Sequence, residues 1–131
     1  SIKIVRPIPE GLKSWLLELK NGRGKSDYVL GELKSPETVS QKGRGLWKQL
    51  GHEDSWALHD LRRTFATSLN DLGVAPHVVE QLLGHTLGGV MAVYNRSQYL
   101  SEKEKALSMW LERLNLLANK PTNVSILKTV G

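Results

Sequence analysis

A mainly α fold with a minor β element is predicted for this 131-residue chain. Three observations predict it. Apolar residues recur at helical spacing in several separate stretches. Most of those stretches start at a proline or a small polar residue and stop at a glycine. Strand-like alternation is confined to residues 2–6 and, minimally, to residues 28–30.

The chain opens with Ser1-Ile2-Lys3-Ile4-Val5-Arg6, which alternates as a short edge strand would and is ended by Pro7 and Pro9. Such a strand needs a partner from elsewhere. Leu12, Trp15, Leu16 and Leu19 fall at i, i+3, i+4 and i+7, so residues 10–20 read as an amphipathic helix with Pro9 near its start. Residues 21–27 hold two glycines among polar residues and read as a surface loop. Tyr28-Val29-Leu30 is the second strand candidate.

Ser35-Pro36-Glu37 resembles an N-cap followed by proline at the first helical position. Val39, Leu46, Trp47 and Leu50 offer a buried stripe over residues 36–50, with Gly51 as the stop. Gly43 and Gly45 weaken that helix by on the order of 1 kcal/mol each. In residues 59–72, Leu61, Phe65, Leu69 and Leu72 mark an inward face, and Gly73 stands at the C-terminal turn. Pro76 starts a further helix with Val78, Val79, Leu82 and Leu83 inward, stopped by Gly84. Residues 101–118 form the last helix, with Ser101 and Glu104 as a capping box and Ala106, Leu107, Trp110, Leu111 and Leu114 as its apolar side. The expected core is Phe65, Leu69, Leu82, Leu83, Trp110 and Leu111. Residues 1–118 read as one unit and residues 119–131 as a C-terminal tail.

Composition excludes several classes of function. The apolar share of 40% and charged share of 24% are ordinary for a globular domain. With no cysteine, neither a disulfide framework nor a thiolate zinc site is possible, which fits an intracellular protein. No apolar run approaches the roughly 18 residues of a bilayer span, and the N-terminus lacks a signal-peptide pattern, so no membrane partner is expected. A formal charge of +5 and a pI near 9.6 suit a polyanionic partner without identifying one.

The chemistry-bearing residues lie in the second half of the chain. His59-Asp60-Leu61-Arg62 places His59 and Arg62 at i, i+3 on one helix face. A guanidinium presents paired donors that fit two phosphate oxygens, and a histidine at a helix N-terminus can bond the same anion or handle a proton. Taken alone, an H-x-x-R pair is as readily a capping histidine beside a surface arginine. His85 follows Gly84 and projects from a tight turn. Tyr94 comes nine residues after His85, within Met91-Ala92-Val93-Tyr94, and Asn95-Arg96 turns polar immediately after it. A tyrosine so placed is ordinarily half-buried with its hydroxyl at the surface.

The order and spacing of these groups, in the apolar frame of Leu61-Arg62-Arg63-Thr64-Phe65-Ala66-Thr67, Leu82-Leu83-Gly84-His85 and Val93-Tyr94-Asn95-Arg96, resemble the tyrosine recombinases. The likeness is to the C-terminal part of their catalytic domain, with a particular similarity to the integrases of prophages and genomic islands. It extends from about residue 2 to residue 114 and covers about half of that domain. The resemblance implies site-specific DNA recombination, the integration or excision of a mobile element, through a 3′-phosphotyrosyl intermediate. It implies Tyr94 as nucleophile and His59, Arg62 and His85 as the groups that stabilise the phosphate. Neither metal nor nucleotide cofactor is implied. The implied partners are double-stranded DNA and other copies of the full-length protein assembled on it, in the bacterial cytoplasm at the nucleoid. Tyr99, fourteen residues after His85, is off the family spacing. The family's earlier arginine and hairpin lysine have no counterpart here, and Lys3 is too close to Pro7 for the lysine role. These absences lead to the expectation of a partial catalytic domain that is inactive alone.

Two other readings compete. Residues 61–84 could form a non-catalytic helix-turn-helix DNA-binding module, although the second helix carries almost no base-reading side chains. A zinc hydrolase on His52, His59 and His85 lacks suitable ligand spacing.

Overall fold

The computed structural model describes residues 4–29, 31–85 and 98–119. Within them a single helical turn, Glu10–Leu12, leads into α1 (Lys13–Gly22), followed by α2 (Pro36–Arg44), α3 (Leu46–Gln49), α4 (Leu58–Asp71), α5 (Pro76–Leu83) and α6 (Leu100–Ala118). The mainly α class is as expected.

The core lies where α4, α5 and α6 pack together. Leu69 of α4, Val78, Val79 and Leu82 of α5, and Ala106 of α6 are its buried apolar residues. Phe65, Ala66, Leu72, Val74, Leu83, Leu107 and Trp110 close around them. Phe65 and Trp110 meet edge to face with ring centroids 5.5 Å apart, which fixes the approach of α6 to α4 and adds about 0.5–1.5 kcal/mol beyond the area buried. Of the six core residues expected, Leu69 and Leu82 are buried, and Phe65, Leu83 and Trp110 are partly buried against them. Leu111 packs to one side, against the backbone at Gly11.

Helix starts and stops follow local chemistry. Ser35 caps α2 by accepting from the Thr38 N–H at 3.2 Å, with Pro36 next to it. The expected helix over 36–50 is divided at Gly45 into α2 and α3. Val39 and Leu50 are exposed, so the stripe is reduced to half-buried Leu46 and Trp47. Gly43 is required by packing: a Cβ there would lie 2.6 Å from Leu58 Cγ, so its lack of a side chain lets α2 approach the start of α4.

Further expectations are corrected. Among the described residues there is no strand. Residues 4–6 have no partner strand and are bound to helices instead, with Arg6 Nε donating to the Leu82 carbonyl at 2.7 Å and Lys103 Nζ donating to the Val5 carbonyl at 3.3 Å. The Tyr28 carbonyl accepts from the Gly31 N–H at 3.1 Å, a turn contact in place of a ladder contact. Residues 2, 3 and 30 of the expected strands, and residues 120–131 of the expected tail, lie outside the described residues. The helix expected over 10–20 runs on to Gly22, and its Trp15 is exposed. Ser101 does not cap α6: the helix begins one residue earlier, after Tyr99, whose φ of 47° places it in the left-handed region. Leu61, expected to face inward, is 55% exposed.

α5 ends in a left-handed turn at Gly84, φ 79°. The Gly84 N–H bonds the Gln81 carbonyl at 3.2 Å and the His85 N–H bonds the Glu80 carbonyl at 2.9 Å, which together make a Schellman closure. A Cβ at Gly84 would run into Ile4 Cδ1. Gly84→Ala should therefore destabilise the fold by at least the roughly 1–2 kcal/mol of a left-handed L-residue. Urea denaturation would show this as a lowered midpoint, and an unchanged midpoint would contradict the turn described.

Lys103 is buried, 4% exposed, under the N-terminal segment. Desolvation, and secondarily the nearby Arg6 charge, hold its ammonium below the ordinary value of 10.5. Between that lowered value and 10.5 the unfolded chain binds the extra proton, so this site's contribution to stability rises with pH through the window. Stepped-pH denaturation should show wild type gaining stability relative to Lys103→Met as pH climbs toward 10.5. A constant difference between the two would contradict the burial.

Candidate functional site

The first turn of α4 is held by Asp60. Its carboxylate accepts from the Ala57 N–H at 2.9 Å, satisfying one of the helix's free donors and placing negative charge at the positive end of the dipole. Its backbone carbonyl accepts from Thr64 Oγ1 at 2.9 Å. His59, the second residue of α4, is exposed in this turn. Arg62 follows one turn later, half-buried and directed to the end of α5.

There its Nη2 donates to the Leu83 carbonyl at 2.5 Å and meets His85 Nε2 at 2.8 Å. The Gly84 turn folds His85 back over α5, so that its Nδ1 lies 2.5 Å from Glu80 Oε2. Arginine has donors only, so His85 Nε2 must accept from Arg62. The ring hydrogen is then on Nδ1, donated to the Glu80 carboxylate. Both Nη2 hydrogens of Arg62 are thereby engaged. Both paired-donor edges of a guanidinium run through Nη2, so what Nε and Nη1 offer an anion is single hydrogen bonds and the positive charge. Glu80 and His85 are each about half exposed, at 45% and 48% of their side chains, so the site opens to solvent.

The structure thus joins Arg62 directly to His85 and places His59 on the same helix as Arg62. Tyr94 lies outside the described residues. His52, a candidate zinc ligand, accepts at Nδ1 from Trp56 Nε1 at 2.8 Å, and among the described residues no three His, Asp or Glu side chains cluster as metal ligands would. The residues missed in the sequence are Glu80 and the carbonyl of Leu83. Glu80 was legible in principle: with Gly84 at the left-handed position, the Schellman pattern brings the residue after glycine over the one four before it, which are His85 and Glu80.

Comparison with known proteins decides the family. The description "Phage integrase family" matches residues 2–101, a span that contains His59, Arg62, His85 and Tyr94. The chain belongs to the phage integrase family. Among its relatives are prophage integrase IntA of Escherichia coli, 28% identical over 109 residues, and tyrosine recombinase XerA of Pyrococcus furiosus, 32% identical over 124 residues. These alignments take in 81% and 86% of this integrase-family chain but 26% and 40% of the two relatives, so the chain spans well under half the length of either. No solved structure matches it. Among the described residues of this family member, no helix is long and apolar enough to cross a membrane.

Proposed function

We propose that this chain forms part of a site-specific DNA recombinase that joins and releases DNA through a tyrosyl intermediate. The Tyr94 hydroxyl oxygen attacks the phosphorus of a DNA phosphodiester. The bond from phosphorus to the 5′-oxygen breaks, and the 5′-hydroxyl departs with a proton. A 3′-phosphotyrosyl ester remains, and an incoming 5′-hydroxyl reverses the step at little change in bond energy. Arg62, through its charge and its Nε and Nη1 donors, neutralises charge on the non-bridging oxygens, with His59 on the same helix and His85 holding the guanidinium at Nη2. The observation that supports this reading is the 2.8 Å contact between Arg62 and His85, 23 residues apart in sequence, two of the residues that the family resemblance assigns to the phosphate.

The partner is double-stranded DNA, contacted through the phosphate backbone by a chain of net charge +5. Recombination also joins two DNA sites, which calls for self-association of the full-length protein on DNA, in the bacterial cytoplasm at the nucleoid. The helix-turn-helix alternative is disfavoured because α5 carries almost no base-reading side chains and its Glu80 is tied to His85.

The family's second arginine and hairpin lysine have no counterpart in the chain. Loss of one preorganised donor typically costs about 10²–10³ in rate, so the 131-residue chain alone should show no recombination. Joined to the upstream half of the family's catalytic domain, it should form a covalent adduct with a nicked suicide duplex, mapped by mass spectrometry to Tyr94. Tyr94→Phe should abolish the adduct. An adduct that persists in Tyr94→Phe, or maps to Tyr99, would overturn the assignment.

A further inference from the structure

The Glu80–His85–Arg62 line contains a constraint beyond the phosphate-binding reading. His85 is not held by burial, since nearly half of its side chain is exposed. It is held by two polar contacts at opposite ring nitrogens, Glu80 Oε2 at 2.5 Å from Nδ1 and Arg62 Nη2 at 2.8 Å from Nε2. Among the described residues, the groups that bond the ring are the Glu80 carboxylate from α5 and the Arg62 guanidinium from α4, with the Leu83 carbonyl beside that guanidinium.

A neutral imidazole carries one hydrogen, and its position follows from the bond made by the opposite nitrogen. Arg62 requires a lone pair at Nε2, and Glu80 supplies the acceptor that keeps the hydrogen on Nδ1. Without Glu80 the ring could rotate, or carry its hydrogen on Nε2, where an N–H would point at the donors of Arg62 and the contact would break.

We propose that Glu80 is a positioning residue: it holds His85 as the Nδ1–H tautomer, with Nε2 as the nitrogen presented beside Arg62. Its bearing on catalysis rests on the recombinase reading above. The Schellman turn provides the geometry, because it stacks the residue after Gly84 over Glu80. In this chain a carboxylate–imidazole pair occupies the place where such turns ordinarily carry an apolar contact.

The test is nitrogen NMR on the 131-residue chain labelled with 15N-histidine, using Glu80→Ala and Glu80→Gln. Wild type should show His85 protonated at Nδ1. Glu80→Ala should move the hydrogen to Nε2, and Glu80→Gln should keep it on Nδ1 through the amide oxygen. Circular dichroism would establish that the variants remain folded. In the chain joined to the upstream half of the catalytic domain, Glu80→Ala should slow single-turnover formation of the Tyr94 adduct by about 10–100-fold, the scale known for the outer carboxylate partners of metal-bound histidines. Affinity for the suicide duplex should be unchanged, and Glu80→Gln should recover most of the rate. An Nε2–H tautomer in wild type, an unchanged tautomer in Glu80→Ala, or a changed tautomer without a slower reaction would each overturn the proposal. If wild type forms no Tyr94 adduct, the recombinase reading fails, while the NMR comparison still decides whether Glu80 sets the tautomer.

Discussion

The last turn of an α-helix leaves carbonyl groups without intrahelical donors and concentrates negative partial charge at its end. In α5 these groups are satisfied by partners from three parts of the chain. The Leu83 carbonyl takes Arg62 from α4, the Leu82 carbonyl takes Arg6 from the N-terminal segment, and the Glu80 carbonyl takes the N–H of His85. Gly84 makes this possible by turning the chain left-handed just past the helix, and Ile4 packs where a side chain would otherwise stand. Remove that closure and the N-terminal segment, the arginine of α4 and the histidine lose their common anchor together.

The same short helix serves two environments. Its apolar face places Val78, Val79 and Leu82 in the core, while its end presents polar groups to solvent. An arginine bonded to a buried helix's carbonyl and a histidine held at both nitrogens are restrained before any anion arrives. Preorganisation of this kind is how a site stabilises developing charge without reorganising at the moment of reaction.

Much of the fold was legible because helices are written locally. The apolar spacing through Phe65 and Leu69, the run at Val78 and Val79, and the stops at Gly73 and Gly84 place α4 and α5 within a residue or two of where they stand. Periodicity does not say which part of a stripe finds a partner, so Leu61 and Trp15 were read as inward and are exposed. Strand pairing is non-local, and residues 4–6 alternate like a strand yet bind a helix carbonyl and Lys103 instead. At the site, the shared helix of His59 and Arg62 follows from local spacing. The contact of Arg62 with His85 spans 23 residues and depends on how α4 and α5 cross, which no local pattern encodes. Glu80 lay within reach of a turn rule, but only once Gly84 is assigned its left-handed role.

The central proposal is that Arg62, held at Nη2 by His85, binds a phosphate of the DNA backbone. It is tested most directly by titrating the 15N-labelled chain with a short DNA duplex at low salt while following the Arg62 Nε–H and His85 ring signals. The account predicts that both shift together along one binding curve, and that added salt weakens the binding steeply. Binding that perturbs scattered lysines while Arg62 and His85 stay silent would contradict it.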